Sequence, residues 1–203
     1  MADGPSRARS PAEDRGRCRF RRGTRPLSEP FRVAFVCTGN RFRSPLAAAV
    51  FAAETEGLPV EVSSLGTLDL GPVPALPEAV TLAEELGLDL SSHSARQLGD
   101  LREHDLVVGF ERKHVIAAVV DAGAAVERTF TLPELVELLH RLSAPPADAR
   151  GRIAGAHAAR PPNFRKGPLP EIRDPLGLSA PEQRAVARAV EGHVSELAAA
   201  LFD

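Results

Sequence analysis

The sequence predicts an α/β fold, three-layered (α/β/α), with a four-stranded parallel sheet. Two observations carry this. From residue 31 onward, short apolar runs alternate with stretches of helical periodicity. The first run, FRVAFV, is apolar enough to be a strand buried on both faces. Such alternation means right-handed βαβ units and a parallel sheet covered by helices on each side. The chain has 203 residues, 43% apolar and 26% charged, enough to bury a core of this kind.

The elements follow in order. FRVAFV (31–36) is the first strand, and a helix over 44–56 follows with Pro45 in its first turn. VEVSSLGT (60–67) is the second strand. PEAVTLAEELGLDL repeats its apolar residues at helical spacing and stops at Gly87. DLVVGF (105–110) and AVERTF (125–130) are the third and fourth strands, each followed by a helix, ERKHVIAAVVDAG and LPELVELLHRL. Residues 143–170 hold six Pro, five Arg or Lys and one acid without periodicity, and are expected as a surface insertion. Ser179 and Glu182 then have capping-box spacing ahead of a long amphipathic helix that reaches the C-terminus.

Two domains of behaviour are expected: residues 1–30 as a disordered Arg-rich tail and residues 31–203 as the folded unit. The tail carries eight Arg against four acids, which leaves the remainder acidic. Basic tails can bind nucleic acid or anionic lipid, but composition favours a plain disordered extension. It lacks the apolar segment of a signal peptide. No apolar run approaches the ~20 residues of a membrane helix. The only cysteines are Cys18, in the tail, and Cys37. A structural disulfide is therefore not expected, and a reducing, cytoplasmic setting is.

Chemistry concentrates in VCTGNRFRSP (36–45), where the first strand ends and a helix begins. The first N–H groups of a helix have no partner within it and attract anions. If TGNRF wraps around an anion, the backbone N–H groups of residues 38–43 point inward. Gly39 and Asn40 would tolerate the left-handed conformations that wrapping needs. Arg43 can clamp two oxygens of a phosphate with its planar fork. Together these groups stabilise a thiolate at Cys37, a nucleophile aimed at phosphorus, and Ser44 can donate to that sulfur. Ester cleavage also needs an acid for the leaving group and then a base for water. Asp174, in IRDP after the last strand, can serve as both, with Pro175 stiffening its loop and Glu171 the nearest substitute.

Together these segments resemble the low-molecular-weight protein tyrosine phosphatase family. FVCTGNRFRSPLA is similar to its phosphate-binding loop, SSLGT to its second-strand motif, HSARQL to its mid-domain signature and RDP to its acid loop. DLVVGFERKH resembles the strand and acidic turn beyond HSARQL. The likeness spans about residues 31–142 and 171–203, in the family's order. It implies a phosphatase I-like fold and a phosphorylated protein as substrate, with no cofactor and no metal. Cys37 would be the nucleophile, Arg43 the phosphate clamp and Asp174 the acid, then base. Thr38, Gly39, Asn40, Arg41, Phe42 and Ser44 would line the substrate, Asn40 holding the loop's strained shape. His93 and Ser64 or Thr67 would support it from behind, His93 in a structural or a catalytic capacity. His104, His114, His140, His157 and His193 lack metal-ligand spacing.

Departures from the family pattern bear on substrate and redox behaviour. Phe42 stands where the family usually has a second cysteine, so Cys37 has no neighbour to protect it from over-oxidation. Leu176 stands where an aromatic often forms a wall for a substrate ring, which leaves phosphotyrosine and phosphoarginine both open. A single-cysteine arsenate reductase using a small cellular thiol is the alternative on the same fold, although Pro45 stands where such reductases usually have Gln. A phosphate-binding module without turnover is the third reading, one that predicts loss of Cys37, Arg43 or Asp174.

Overall fold

The structure, a computed structural model, describes Met1, residues 29–164 and residues 166–203. The expected disordered tail and Cys18 lie almost wholly outside the described residues. Four parallel strands form one sheet in the order β2-β1-β3-β4: β1 Phe31–Cys37, β2 Val60–Gly66, β3 Leu106–Gly109 and β4 Thr129–Thr131. Six helices connect and cover them: α1 Arg43–Glu54, α2 Pro77–Glu85, α3 Arg112–Val120, α4 Leu132–His140, α5 Ala149–Ala158 and α6 Ala180–Phe202.

Period-two alternation sends successive side chains of β1 to opposite layers. Val33, Phe35 and Cys37 join the large core with α1, α2, α4, α5 and α6, whereas Ala34 and Val36 face a small core with Ala118 of α3. One layer is thick with Phe and Leu, the other thin and mostly Ala and Val. The strand order reverses at β1, so the crevice beyond the C-terminal ends of β1 and β3 is where a parallel sheet of this kind opens a site. Cys37 ends β1 at that crevice.

Local signals in the sequence account for the helix ends. Ser179 and Glu182 form the expected capping box of α6, and Thr131 with Glu134 forms one on α4. α2 stops at the turn containing Gly87, whose φ of 74° is glycine territory.

Two expectations need correction. AVERTF is not a six-residue strand: a 3-10 turn occupies Val126–Arg128 and only Thr129–Thr131 pair with β3. The Thr129 hydroxyl donates to the Ala125 carbonyl (2.8 Å) and the Arg128 N–H closes on the same group (3.1 Å), which holds the turn against extension. Residues 143–170 are not merely an irregular surface stretch either. Asp148 caps α5 by accepting from Gly151 N–H (2.9 Å), and Ile153 and Ala156 are buried in the large core.

Candidate active site

The loop after β1 is shaped by Asn40, the one described non-glycine residue with positive φ (51°). Left-handed backbone costs a side-chain-bearing residue of order 1–2 kcal/mol, so something must hold it. Asn40 is fully buried and held from several sides. Its side-chain Oδ1 accepts from Arg96 N–H (2.8 Å), its Nδ2 donates to Ser44 Oγ (2.9 Å), and its carbonyl accepts from His93 Nε2 (2.7 Å). HSARQL thus acts as a brace, His93 and Arg96 gripping the two ends of one residue. Gly39, expected to be left-handed as well, is not. A Cβ there would come within 3.2 Å of Leu70 Cδ1, so the glycine makes room for that side chain.

The sulfur of Cys37 faces the centre of this loop. Asn40 N–H donates to it (3.2 Å), and Ser44 Oγ lies 3.0 Å away. The Leu65 carbonyl lies 3.2 Å from the same Oγ, so the one Ser44 hydrogen has two acceptors to choose from, that carbonyl and the sulfur. The second-strand motif meets the loop from below. Thr67 N–H donates to the Cys37 carbonyl (2.9 Å), Thr67 Oγ1 reaches the Thr38 carbonyl (3.4 Å), and buried Ser64 engages through its carbonyl, which accepts from Arg96 Nη2 (3.3 Å).

Arg43 is buried to 1% exposure, unusual for a guanidinium and possible only with full pairing. Nη1 donates to Glu111 Oε2 (2.7 Å) and to the Ile172 carbonyl (2.9 Å). Nη2 donates to Asp174 Oδ2 and, at 3.4 Å, to Thr38 Oγ1. Burial alone would raise the Glu111 carboxyl, but hydrogen bonds from Arg43 and Lys113 outweigh that and hold it below the ordinary range. The acid loop is moored by Ile172 N–H on the Phe110 carbonyl (2.8 Å) and by Thr131 Oγ1 on the Pro170 carbonyl (2.8 Å). Leu176 N–H on Asp174 Oδ1 (3.0 Å) turns the chain after Asp174.

A cleft of ≈ 230 Å³ opens above the sulfur, lined by Cys37, Thr38, Gly39, Arg41, Phe42, Arg43 and Asp174 and walled by Leu68, Leu70, Leu76 and Leu176. Arg41 stands at its rim with Nε on the Pro74 carbonyl (2.8 Å). Phe42 is buried and belongs as much to the core as to the cleft. A thiol flanked by N–H and O–H donors, beneath a buried arginine and a half-exposed carboxylate, can attack a tetrahedral anion and exchange a proton with its leaving group.

Glu111, His114 and the Ile172 carbonyl were not picked out from the sequence. Glu111 carried a signal: an acid just beyond the end of a strand, at the edge where such sites assemble. The sequence offers no local signal for His114, whose place beside Thr38 is decided by the packing of α3 against the loop after β1.

The sequence model of the low molecular weight phosphotyrosine protein phosphatase family matches residues 32–143. A protein-arginine-phosphatase of Bacillus subtilis (strain 168) is 37% identical over 111 residues, covering 53% of this chain and 74% of that protein. Among solved structures, a low molecular weight protein tyrosine phosphatase from T. tengcongensis superposes with a TM-score of 0.62 at 28% identity, over 82% of this chain and 97% of that one. A YwlE arginine phosphatase with a phosphorylated active-site serine gives 0.63 at 26% identity, over 83% and 93%. With the loop, its brace and its moored acid in place, the chain belongs to the low molecular weight phosphotyrosine protein phosphatase family, whose members are cysteine-dependent hydrolases.

Proposed function

We propose that Cys37, Arg43 and Asp174 hydrolyse a phosphorylated protein side chain in two steps. The observation that carries this is the convergence of all three: the sulfur faces the loop centre, and Arg43 and Asp174 touch across its mouth. A phosphoryl group seated in the loop takes Arg43 Nη2 from Asp174, while Nη1 stays on Glu111 and Ile172, so the clamp is already oriented. The Cys37 thiolate forms the S–P bond as the P–O bond to the leaving group breaks, and Asp174 gives that oxygen its proton. Asp174, now ionised, takes a proton from water, which attacks phosphorus. The S–P bond breaks, and Ser44 donates to the departing sulfur.

Phosphotyrosine is the first reading of the substrate. Phosphoarginine is the second, favoured by the all-leucine walls of the cleft, which suit an aliphatic arm, and by likeness to an enzyme named for that activity. A reducing cytoplasmic compartment suits a lone catalytic thiol. A reductase acting with a second protein thiol is disfavoured, since Cys18 and Cys37 are the only cysteines and Phe42 fills the neighbouring position.

The test is steady-state turnover of phosphotyrosyl peptide, phosphoarginyl peptide and arsenate by wild type and Cys37→Ser. We expect phosphate release by wild type and a loss of more than 1,000-fold in the variant, since a hydroxyl does not ionise near neutral pH. Appreciable turnover by the folded variant would rule out the phosphocysteine route.

A further inference from the structure

His114 is fully buried, and the chemistry above does not use it. Its Nδ1 faces two backbone donors, Phe110 N–H (3.3 Å) and Glu111 N–H (3.1 Å), so Nδ1 is the acceptor. Burial first, and then the Arg43 charge, push its pKa down to about 4, which keeps the ring neutral near pH 7. A neutral ring has one N–H, and with Nδ1 accepting, that hydrogen is on Nε2. Nε2 lies 3.0 Å from Thr38 Oγ1, so His114 donates and Thr38 accepts. Arg43 Nη2 also points at Thr38 Oγ1. With its lone pairs facing two donors, the Thr38 hydroxyl has one direction left for its own hydrogen: Asp174 Oδ2, at 3.3 Å.

We infer that His114 is a positioning residue for the acid step, acting through Thr38 to hold Asp174 over the loop with Oδ2 occupied and Oδ1, which accepts Leu176 N–H on one lone pair, carrying the transferred proton on the other. This rests on the reading of Asp174 as general acid. The need for it arises on substrate binding. In the structure Arg43 Nη2 also holds Asp174 Oδ2, but a phosphoryl group competes for that donor. Once Arg43 turns to phosphate, the Thr38 hydroxyl is the remaining side-chain donor on Oδ2 among the described residues, and it stays aimed only while His114 fixes its rotor. The capping role of the same ring, on Phe110 and Glu111, ties this chain to the turn that also presents Glu111 to Arg43. One buried side chain thereby sets both the clamp's partner and the acid's.

The two ring nitrogens can be separated by substitution. His114→Asn keeps an acceptor near Nδ1 and removes the Nε2 donor; His114→Gln reaches Thr38 with an amide N–H but gives up the cap; Thr38→Val removes the hydroxyl alone. The readout is kcat/KM for p-nitrophenyl phosphate, whose leaving group needs little protonation, over that for phenyl phosphate, whose leaving group needs much. We expect this ratio to rise about tenfold in Thr38→Val and His114→Asn, a fraction of the full effect of a general acid, and to stay near wild type in His114→Gln. In an Asp174→Asn background, adding His114→Asn should move the ratio less than about twofold, because the step it serves is already gone. Equal slowing of both esters in Thr38→Val and His114→Asn, or an undiminished effect in the Asp174→Asn background, overturns the inference and leaves the phosphatase reading standing. An unchanged ratio in Asp174→Asn itself overturns the acid assignment and the inference with it.

Discussion

At Gly66, in the motif SSLGT, a single missing carbon decides whether the loop after β1 can take its shape. A Cβ there would lie 3.0 Å from Asn40 N and 3.0 Å from Gly39 C, both backbone atoms that cannot swing aside. Its φ is not positive, so glycine is required for close approach and not for a turn. Gly66→Ala should displace the loop by a few tenths of an ångström. That lowers kcat/KM about 10- to 100-fold, since misplacement of reacting groups is costly even when small. Thermal melting should change by only a few degrees, because the sheet register beneath is kept. Unaltered kinetics with p-nitrophenyl phosphate would show that the loop tolerates the shift. The sequence marked this motif and the loop at residues 37–43, yet misassigned Gly39 as left-handed. Which glycine bends and which merely makes room depends on a neighbour, Leu70, that only folding brings near.

The helix α5 and the segment after it show how far composition can mislead at the scale of an element. Pro- and Arg-rich residues 143–170 suggested a solvated surface, but Arg160 turns inward. Its guanidinium pairs twice with buried Glu134 (2.9 and 3.0 Å) and donates to the carbonyls of Thr129 (2.6 Å) and Val126 (3.0 Å). It lies 3.8 Å from the centre of the Phe130 ring and 4.6 Å from that of Phe164. This arginine fastens the insertion to the edge strand β4 and to α4. Removing one member of such a buried pair leaves the other's charge uncompensated, at about 3–5 kcal/mol, with Glu134 keeping only the Thr131 N–H of its capping box. Arg160→Met should therefore lower the urea midpoint sharply, and Arg160→Met with Glu134→Leu should recover part of the loss, short of the α4 capping box that Glu134→Leu removes. A double variant no better than the single would show that the pair is dispensable and the packing is what matters.

Across the whole molecule, burial of His114 makes stability depend on pH. The unfolded chain protonates this imidazole near its ordinary 6.5, whereas the folded protein resists until about 4. Between those values the unfolded state binds more protons, so the unfolding free energy falls as pH falls. The contribution is complete above pH 6.5 and exhausted near pH 4, about 3 kcal/mol in all. Burial and the Arg32 charge lower His104 in the same sense, so the comparison must be with His114→Asn. Wild type should lose stability more steeply than that variant between pH 6.5 and 4 in urea titrations. Identical slopes would refute the assignment of a neutral buried ring.

What the sequence determined by itself is whatever rests on neighbours along the chain. Strand, anion loop and helix at residues 36–45, the alternation of four strands with helices, and the cap at Ser179 and Glu182 all depend on periodicity or on hydrogen bonds a few residues long. Cys37, Arg43 and Asp174 could be singled out because their types suit one chemistry, their settings, a strand-to-helix junction and a stiffened loop, are local, and their motifs resemble those of one family. Their partnership was not. Arg43 is held by Glu111, Ile172 and Asp174, which lie 68, 129 and 131 residues away, and Thr38 is pinned by His114, 76 residues away. A buried charge or a hydroxyl rotor takes whichever partner the packed layers bring within 3 Å, and no periodicity encodes that distance. The same physics turned Arg160 from an expected surface charge into a fastening of the core: burial of a guanidinium is allowed wherever the fold supplies a carboxylate, carbonyls and two aromatic faces at once.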